Sequence, residues 1–319
     1  MSRTPLRRSP WLSAASGGEV LLKLETLQPT FSFKIRGALN AVMRTVEERK
    51  GKATGSPPAL VTASAGNHGR AMAFAAARAH VPLTVYVPRS APRTKLEAMR
   101  ASGADVRPCA DYDEAERAAK AHTASGHAEY ISPYSHPDVI AGAATIGLEI
   151  LEDRPDIDCI LAPLGGGGLV SGIVIAASRV HPRTSVAGVE VEASCPFTQG
   201  LAAGRIVPVT VGETLADGLA GNLDPDTVTF EIVRDLVAQV VCVDEAGLRE
   251  AVAGIVRHER LVVEAAGAAG VAAVLGGRFD ARNRRVAVVL SGANIDADKL
   301  AAILAISAED TTRPQRERR

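Results

Sequence analysis

Four short stretches of this 319-residue chain contain residue types that could do chemistry together. The first centres on Lys34, which follows an apolar segment at residues 20–24 and precedes apolar residues at helical spacing, so it opens a predicted helix. A helix N-terminus disfavours a charged ammonium, and the neutral amine of lysine is a nucleophile. The alternative is a surface lysine whose apolar stem covers the first turn of the helix.

The second stretch is a run of four glycines at residues 165–168. It lies between a predicted apolar strand at residues 157–162 and a predicted helix that begins at Leu169. Backbone N–H groups converge in such a loop, and the helix N-terminus behind them favours an anion, so a phosphate fits there. The loop has neither the Lys-Ser/Thr pair of a Walker loop nor the GxGxxG spacing of a dinucleotide site, and a tight turn is the alternative.

The third and fourth stretches also follow predicted strands. Residues 64–69 read Ser-Ala-Gly-Asn-His-Gly and open a predicted helix, where a carboxylate could bind; an ordinary helix cap is the alternative. Ser291 ends an apolar strand predicted at residues 286–290, and its hydroxyl can donate or accept a hydrogen bond. A ligand with an aldehyde, a phosphate and a ring nitrogen would use all four stretches, and pyridoxal 5'-phosphate is that ligand.

Strands and helices alternate along the chain, which predicts parallel sheets covered by helices and hence the α/β class. We predict two α/β units: a large domain formed by residues 1–51 and 137–319, and a small domain at residues 52–136 inserted into it. Within the large domain, residues 1–18 are predicted to form a loosely held arm, and the polar tail at residues 311–319 is predicted to be disordered.

Composition and charge argue against several classes of protein. Lysine and arginine together number 36, as do aspartate and glutamate, and the formal net charge of zero argues against binding to nucleic acid or to an anionic membrane. The longest uncharged stretch, residues 159–178, contains a proline and four glycines, so no membrane span is predicted. The four scattered cysteines form no CxxC pair, and we expect buried thiols in a reducing cytoplasm with no metal or redox role.

The four stretches resemble the motifs of a known enzyme family. SFKIRGA, SAGNHG, GGGGL and SGAN occur in the order and at about the spacing of the threonine/serine dehydratase group of fold type II pyridoxal-phosphate enzymes, which also contains the serine racemases. The resemblance extends over about residues 20–306. It implies two open parallel-sheet α/β domains, as in the β-subunit of tryptophan synthase, with the cofactor in the cleft between them. It also implies a homodimer or a higher homo-oligomer.

The resemblance also implies a role for each residue of the motifs. Lys34 forms a Schiff base with the cofactor aldehyde, and Phe33 lies beside the cofactor ring. Asn67 hydrogen-bonds the ring hydroxyl, and Ser291 faces the pyridine nitrogen. The residues implied to hold the phosphate are Gly165, Gly166, Gly167, Gly168 and Leu169. The residues implied to bind the substrate carboxylate are Ser64, Ala65, Gly66, Asn67 and His68.

The reaction implied by the resemblance is the elimination of water from a small hydroxy amino acid. Lys34 would take the Cα proton of L-threonine or L-serine, the β-hydroxyl would leave, and the product would decay to a 2-oxo acid and ammonia, as in threonine ammonia-lyase. Ala65 stands where racemases of the group usually have a serine, which favours elimination over racemisation. The chain ends about 28 residues after Ser291, which implies the catabolic type without a regulatory domain.

Several alternatives stay open. Glu190 matches the first ligand of the divalent-cation site of the group, but Pro196 stands where the second is expected, so Glu190 is a candidate ligand and no site is assigned. A dehydratase of hydroxyectoine breakdown and a serine or threonine racemase are alternatives within the family. An enzyme that catalyses β-replacement, of the cysteine-synthase type, is a further alternative, but Ile35 and Arg36 argue against it. A non-catalytic pyridoxal-phosphate or nucleotide-binding protein would not need both Lys34 and the substrate loop.

Overall fold

The computed structural model of the chain describes residues 1–50, 59–126 and 128–312. Within these ranges, ten strands form two separate sheets. The strands are β1 (Leu6–Arg8), β2 (Glu19–Leu24), β3 (Ala59–Ala63), β4 (Leu83–Pro88), β5 (Asp105–Cys109), β6 (Ala128–Tyr130), β7 (Cys159–Pro163), β8 (Ser185–Val191), β9 (Gln239–Val243) and β10 (Arg285–Leu290).

At least one helix lies between each two consecutive strands of the described residues. The α-helices are α1 (Pro10–Ser16), α2 (Lys34–Lys50), α3 (Asn67–Ala79), α4 (Arg93–Ala101), α5 (Tyr112–His122), α6 (Pro137–Asp153), α7 (Gly168–Val180), α8 (Pro196–Ala203), α9 (Thr229–Leu236), α10 (Glu245–Gly254), α11 (Ala265–Leu275) and α12 (Ala297–Thr312). Short 3₁₀ turns lie at Glu25–Leu27, Thr123–Ser125 and Asp217–Leu219, and a π turn lies at Ile255–Glu259. No helix among these residues is long and apolar enough to cross a membrane.

The larger sheet has six strands in the order β1-β2-β10-β7-β8-β9, and the smaller has four in the order β5-β4-β3-β6. All neighbours are parallel except β1 and β2, which are antiparallel. The central strands β7 and β10 are almost entirely apolar because helices cover both of their faces. The alanine-rich helix α11 packs so closely on the sheet that a Cβ atom at Gly270 would lie 2.7 Å from Val288 Cγ1. The predicted α/β class is confirmed.

The strands of the smaller sheet all come from residues 59–130, and those of the larger sheet come from outside this range. Helix α2 packs its apolar face, including Ile35 and Val42, into the same core as strands of the smaller sheet. The domain division predicted from the sequence stays a prediction. Its first boundary, at residues 51–52, lies outside the described residues. The prediction of a tail disordered from residue 311 is wrong at its start, because α12 continues to Thr312; residues 313–319 lie outside the described residues.

The prediction of a loosely held arm at residues 1–18 is wrong. Strand β1 pairs with β2, and Leu12 on α1 has no exposed surface. The Ser9 hydroxyl accepts a hydrogen bond from the backbone N–H of Leu12 and so caps α1, while Pro10 occupies its first turn. Ser9-Pro10 is therefore a start signal that the sequence analysis overlooked, because the strand and helix on either side of it are short.

We predict that Leu12→Ala lowers the free energy of unfolding by about 2–5 kcal/mol, because it removes buried methyl groups and leaves a cavity. The matched control is Leu27→Ala: this leucine is 53% exposed, and its loss should change stability by less than about 0.5 kcal/mol. Urea unfolding followed by circular dichroism measures both. Equally small losses for the two variants would show that residues 1–18 do not belong to the core.

Candidate active site

The segment before α2 is hydrogen-bonded to the segment after β10, although the two lie far apart in sequence. The backbone N–H of Phe33 donates to the Ser291 carbonyl at 2.9 Å, and that of Ala293 donates to the Phe31 carbonyl at 2.8 Å. Phe31 has a left-handed backbone (φ 57°), which is uncommon for a residue other than glycine. This pairing places Lys34, the first residue of α2, beside the end of β10.

The amine of Lys34 is held in a poorly solvated position. Its Nζ donates to the Pro133 carbonyl at 2.7 Å and lies 5.1 Å from the centre of the Phe33 ring. Burial lowers the pKa of Lys34 to about 8, although the negative charge of Glu264 partly opposes the shift. A substantial fraction of the amine is therefore neutral near physiological pH, and the alternative of an ordinary surface lysine does not hold.

Glu264, which directly precedes α11, is a site residue that the sequence analysis missed. Its side chain is buried, and its Oε1 accepts a hydrogen bond from Asn67 Nδ2 at 2.6 Å. Burial raises the pKa of Glu264 to about 7. The Asn67 Oδ1 accepts from Asn294 Nδ2 at 2.6 Å, and the Asn294 Oδ1 accepts from Arg70 at 2.8 Å. The sequence contains a signal for this residue: Glu264 is a single acidic residue between the apolar residues 261–263 and an alanine-rich helix.

The loop at residues 64–68 follows β3 and leads into α3. The ring of His68 is 2% exposed, and burial together with the charge of Lys34 lowers its pKa to about 3, so the ring is neutral. Neither ring nitrogen makes a hydrogen bond of normal geometry with another described residue. Among the described residues, no hydrogen bond uses the backbone N–H groups of Asn67 and His68. The loop can therefore bind an anion through its backbone and the helix N-terminus, without a cationic side chain.

The four glycines at residues 165–168 follow β7 and lead into α7. A Cβ atom at Gly166 would lie 2.3 Å from the Tyr134 ring, and one at Gly167 would lie 2.8 Å from both Phe197 and Thr229. Gly167 also has a φ of 89°, which favours glycine. The glycines are therefore required by close packing as well as by backbone conformation.

The backbone of the glycine loop is suited to a phosphate. Within the described part of the chain, no hydrogen bond uses the N–H groups of residues 165–169, and these groups lie at the N-terminus of the 13-residue helix α7. Tyr134, whose ring contacts the loop, directly follows Pro133, which holds the Lys34 amine. The loop, Lys34, the residues 64–68 and Ser291 thus meet where β3, β7 and β10 end, which is where open α/β sheets bind ligands.

Glu190, the candidate cation ligand, lies near the carboxyl end of β8, beside the start of α8. Its carboxylate accepts hydrogen bonds from the backbone N–H groups of Phe197 and Thr198, both at 2.8 Å, and from the Thr198 hydroxyl at 2.6 Å. Burial raises the pKa of Glu190. Among the His, Cys, Asp and Glu side chains of the described residues, those grouped with Glu190 are the thiols of Cys195 and Cys242, whereas Mg²⁺ and Ca²⁺ prefer oxygen ligands. Glu190 therefore stays a candidate ligand without an assigned site.

Comparison with known proteins places the chain in a family. Residues 1–292 match the family described as pyridoxal-phosphate dependent enzyme. The L-threonine ammonia-lyase of Thermotoga maritima is 41% identical over 303 residues, which are 95% of this chain and 74% of that protein. The serine racemase of Homo sapiens is 36% identical over 92% of this chain and 86% of that one. The solved structure of processed threonine deaminase isoform 2 from Solanum lycopersicum has a TM-score of 0.87 and 32% identity, covering 97% of this chain and 84% of that one.

The fold and the anion-binding loops define a fold type II enzyme, and the match over residues 1–292 shows that the chain belongs to the pyridoxal-phosphate dependent enzymes. It is similar to threonine ammonia-lyases over nearly its whole length. Pyridoxal 5'-phosphate is its cofactor, and the free N–H groups of the glycine loop and the poorly solvated Lys34 amine fit that cofactor's phosphate and aldehyde.

We predict that Lys34 in the apoenzyme loses its proton near pH 8, against about 10.4 for a free lysine. Reductive methylation over a pH series, quantified by mass spectrometry of the peptide that contains Lys34, measures this pKa. Glu264→Gln should lower it further, because the glutamate charge stabilises the ammonium. Half-maximal labelling near pH 10, or a rise in the variant, would contradict the burial of the amine.

Proposed function

We propose that this enzyme eliminates water from a small hydroxy amino acid such as L-threonine or L-serine, giving a 2-oxo acid and ammonia. The observation that supports this most strongly is the Lys34 amine, held on the Pro133 carbonyl beside a loop of free backbone N–H groups. The similarity to threonine ammonia-lyases supports the reaction class.

The residues proposed to hold the cofactor surround Lys34. The Ser291 hydroxyl would face the pyridine nitrogen, Asn67 would hydrogen-bond the ring hydroxyl and Phe33 would lie beside the ring. When bound, pyridoxal phosphate supplies an electron sink that lets the Cα proton of the substrate leave. The backbone N–H groups proposed to hold its phosphate are those of Gly165, Gly166, Gly167, Gly168 and Leu169.

Lys34 is proposed to accept the Cα proton. An amine must lose its proton before it can act as a base. A pKa near 8 leaves part of the Lys34 amine neutral at physiological pH and still sufficiently basic to take a proton. Glu264 acts through Asn67: it accepts a hydrogen bond from the Asn67 side chain and so fixes the amide that would face the cofactor ring. It is a positioning residue, and its charge also tunes Lys34.

The substrate carboxylate is proposed to lie at the N-terminus of α3. The 13-residue helix presents its first N–H groups and the positive end of its dipole to the anion. His68 contributes its backbone and keeps its neutral ring inside the protein, so binding there should not weaken as histidine loses a proton between pH 6 and 7. The residues of this proposed subsite are Ser64, Ala65, Gly66, Asn67 and His68.

The cellular setting of the enzyme is proposed more broadly. We propose a cytoplasmic homodimer with the cofactor in the cleft between a large domain (residues 1–51 and 137–319) and a small one (residues 52–136). The four cysteines, all free thiols, support a reducing compartment. The exposed apolar side chains of Phe31 and Met43 support a protein contact near α2. A physiological role in hydroxyectoine breakdown is a further proposal, supported by the likeness to dehydratases alone.

We predict that Lys34→Ala lowers kcat/KM for 2-oxo acid formation from L-threonine and L-serine by at least about 10³-fold, because it removes both the nucleophile and the base. The visible absorbance of the bound cofactor should also disappear after dialysis. Lys299→Ala, an exposed lysine on α12, is the control and should change neither quantity. A variant that keeps wild-type turnover would exclude Lys34 from the reaction.

A second prediction separates elimination from racemisation. The wild-type enzyme should form 2-oxo acid from L-serine much faster than it forms D-serine, because Ala65 supplies no proton to the opposite face of Cα. Ala65→Ser should raise the ratio of D-serine to 2-oxo acid by about 10-fold or more, as expected for an added acid–base group. Chiral chromatography beside the 2-oxo acid assay measures the ratio. Racemisation as the faster wild-type reaction would favour the racemase alternative.

A further inference from the structure

Two cysteines that are 47 residues apart in sequence lie side by side in the structure. Cys195 directly precedes α8, and Cys242 lies on β9, opposite Glu190 on β8. Their Sγ atoms are 3.0 Å apart, and both side chains are partly exposed. The expectation that all four cysteines are scattered, buried thiols is therefore wrong for this pair, although it holds for Cys109 and Cys159.

The cluster offers a metal ion few free ligands, whereas its two sulfur atoms are close enough to reach each other. A zinc site in a protein usually has three or four protein ligands, and the two thiols supply only two of them. A disulfide has a sulfur–sulfur distance of about 2.05 Å, so only a shift of about 1 Å separates the pair from a bond. The third group of the cluster, Glu190, already accepts three hydrogen bonds from α8.

We propose that Cys195 and Cys242 form a reversible intramolecular disulfide and are the site at which this enzyme responds to peroxides. The sulfur of one cysteine attacks a hydroperoxide: an S–O bond forms, the O–O bond breaks, and the cysteine becomes a sulfenic acid. The other peroxide oxygen takes up a proton and leaves as an alcohol or as water. The second thiol attacks that sulfur, the S–S bond forms, and water leaves. In total, two thiols lose two electrons and two protons, and the peroxide is reduced; a dithiol reductant reverses the change by exchange.

The disulfide would connect β9 to the helix that supports the glycine loop. Phe197 lies two residues after Cys195, and its ring packs against Gly167. A Cβ atom added to Gly167 would lie 2.8 Å from that ring. Phe197 also stacks on Phe230 of α9, with 6.3 Å between ring centres. Fixing the start of α8 to β9 should therefore stabilise the loop against local unfolding, and it closes a loop of 47 residues, which restricts the unfolded chain.

The test uses the purified holoenzyme treated with hydrogen peroxide and then alkylated under denaturing, non-reducing conditions. We expect the number of free thiols to fall from four to two, and the tryptic peptides 184–205 and 235–249 to be joined until a reductant is added. The melting temperature of the oxidised enzyme should exceed that of the reduced enzyme by about 3–10 °C. This result is independent of which substrate the enzyme uses.

Three variants provide controls for this test. Cys195→Ser and Cys242→Ser should each prevent the cross-link and the rise in melting temperature, whereas Cys109→Ser should retain both. Retention of four free thiols in the wild-type enzyme, or peroxide products limited to single sulfinic or sulfonic cysteines, would overturn the proposal. The proposal would also be overturned if the purified enzyme contained one zinc ion per chain and the Cys195 and Cys242 variants lost it, because the pair would then be a metal site.

Discussion

The start of α2, and with it the position of Lys34, depends on a buried ion-pair network around Arg36. The Arg36 guanidinium has no exposed surface and donates to both oxygens of Glu25, at 2.8 Å each, and to both oxygens of Glu149, at 2.6 and 2.7 Å. Lys23 on β2 also donates to Glu149 at 2.6 Å. Two cations thus face two carboxylates, and the buried charge cancels.

This network joins β2, the turn after it, α2 and α6 at one point. Burial alone would raise the pKa of Glu149, but the hydrogen bonds from Arg36 and Lys23 outweigh it, and the pKa is lowered. A buried ion pair adds little stability compared with apolar packing, whereas loss of one partner costs about 3–5 kcal/mol. Such a network is better suited to fixing one geometry than to adding stability. Here it fixes the position of Lys34, two residues before Arg36.

The sequence predicted well what depends on local patterns and poorly what depends on contacts between distant segments. The alternation of strands and helices was sufficient for the α/β class, and apolar runs such as that of β10 were sufficient for the central strands. The placement of Lys34 beside Ser291 rests on hydrogen bonds between residues 31–33 and 291–293, which no local pattern contains. The nearness of Cys195 to Cys242 follows from the pairing of β8 with β9, which is equally invisible in the sequence.

We propose that Lys34 binds pyridoxal phosphate covalently. Borohydride reduction of the holoenzyme followed by tryptic mapping tests it directly, because reduction makes the bond between the lysine and the cofactor permanent. We expect one pyridoxyl group per chain, on Lys34, in the peptide of residues 24–36, since trypsin does not cleave after a modified lysine. A pyridoxyl group on another lysine such as Lys95, or no modified peptide from a fully loaded enzyme, would contradict it.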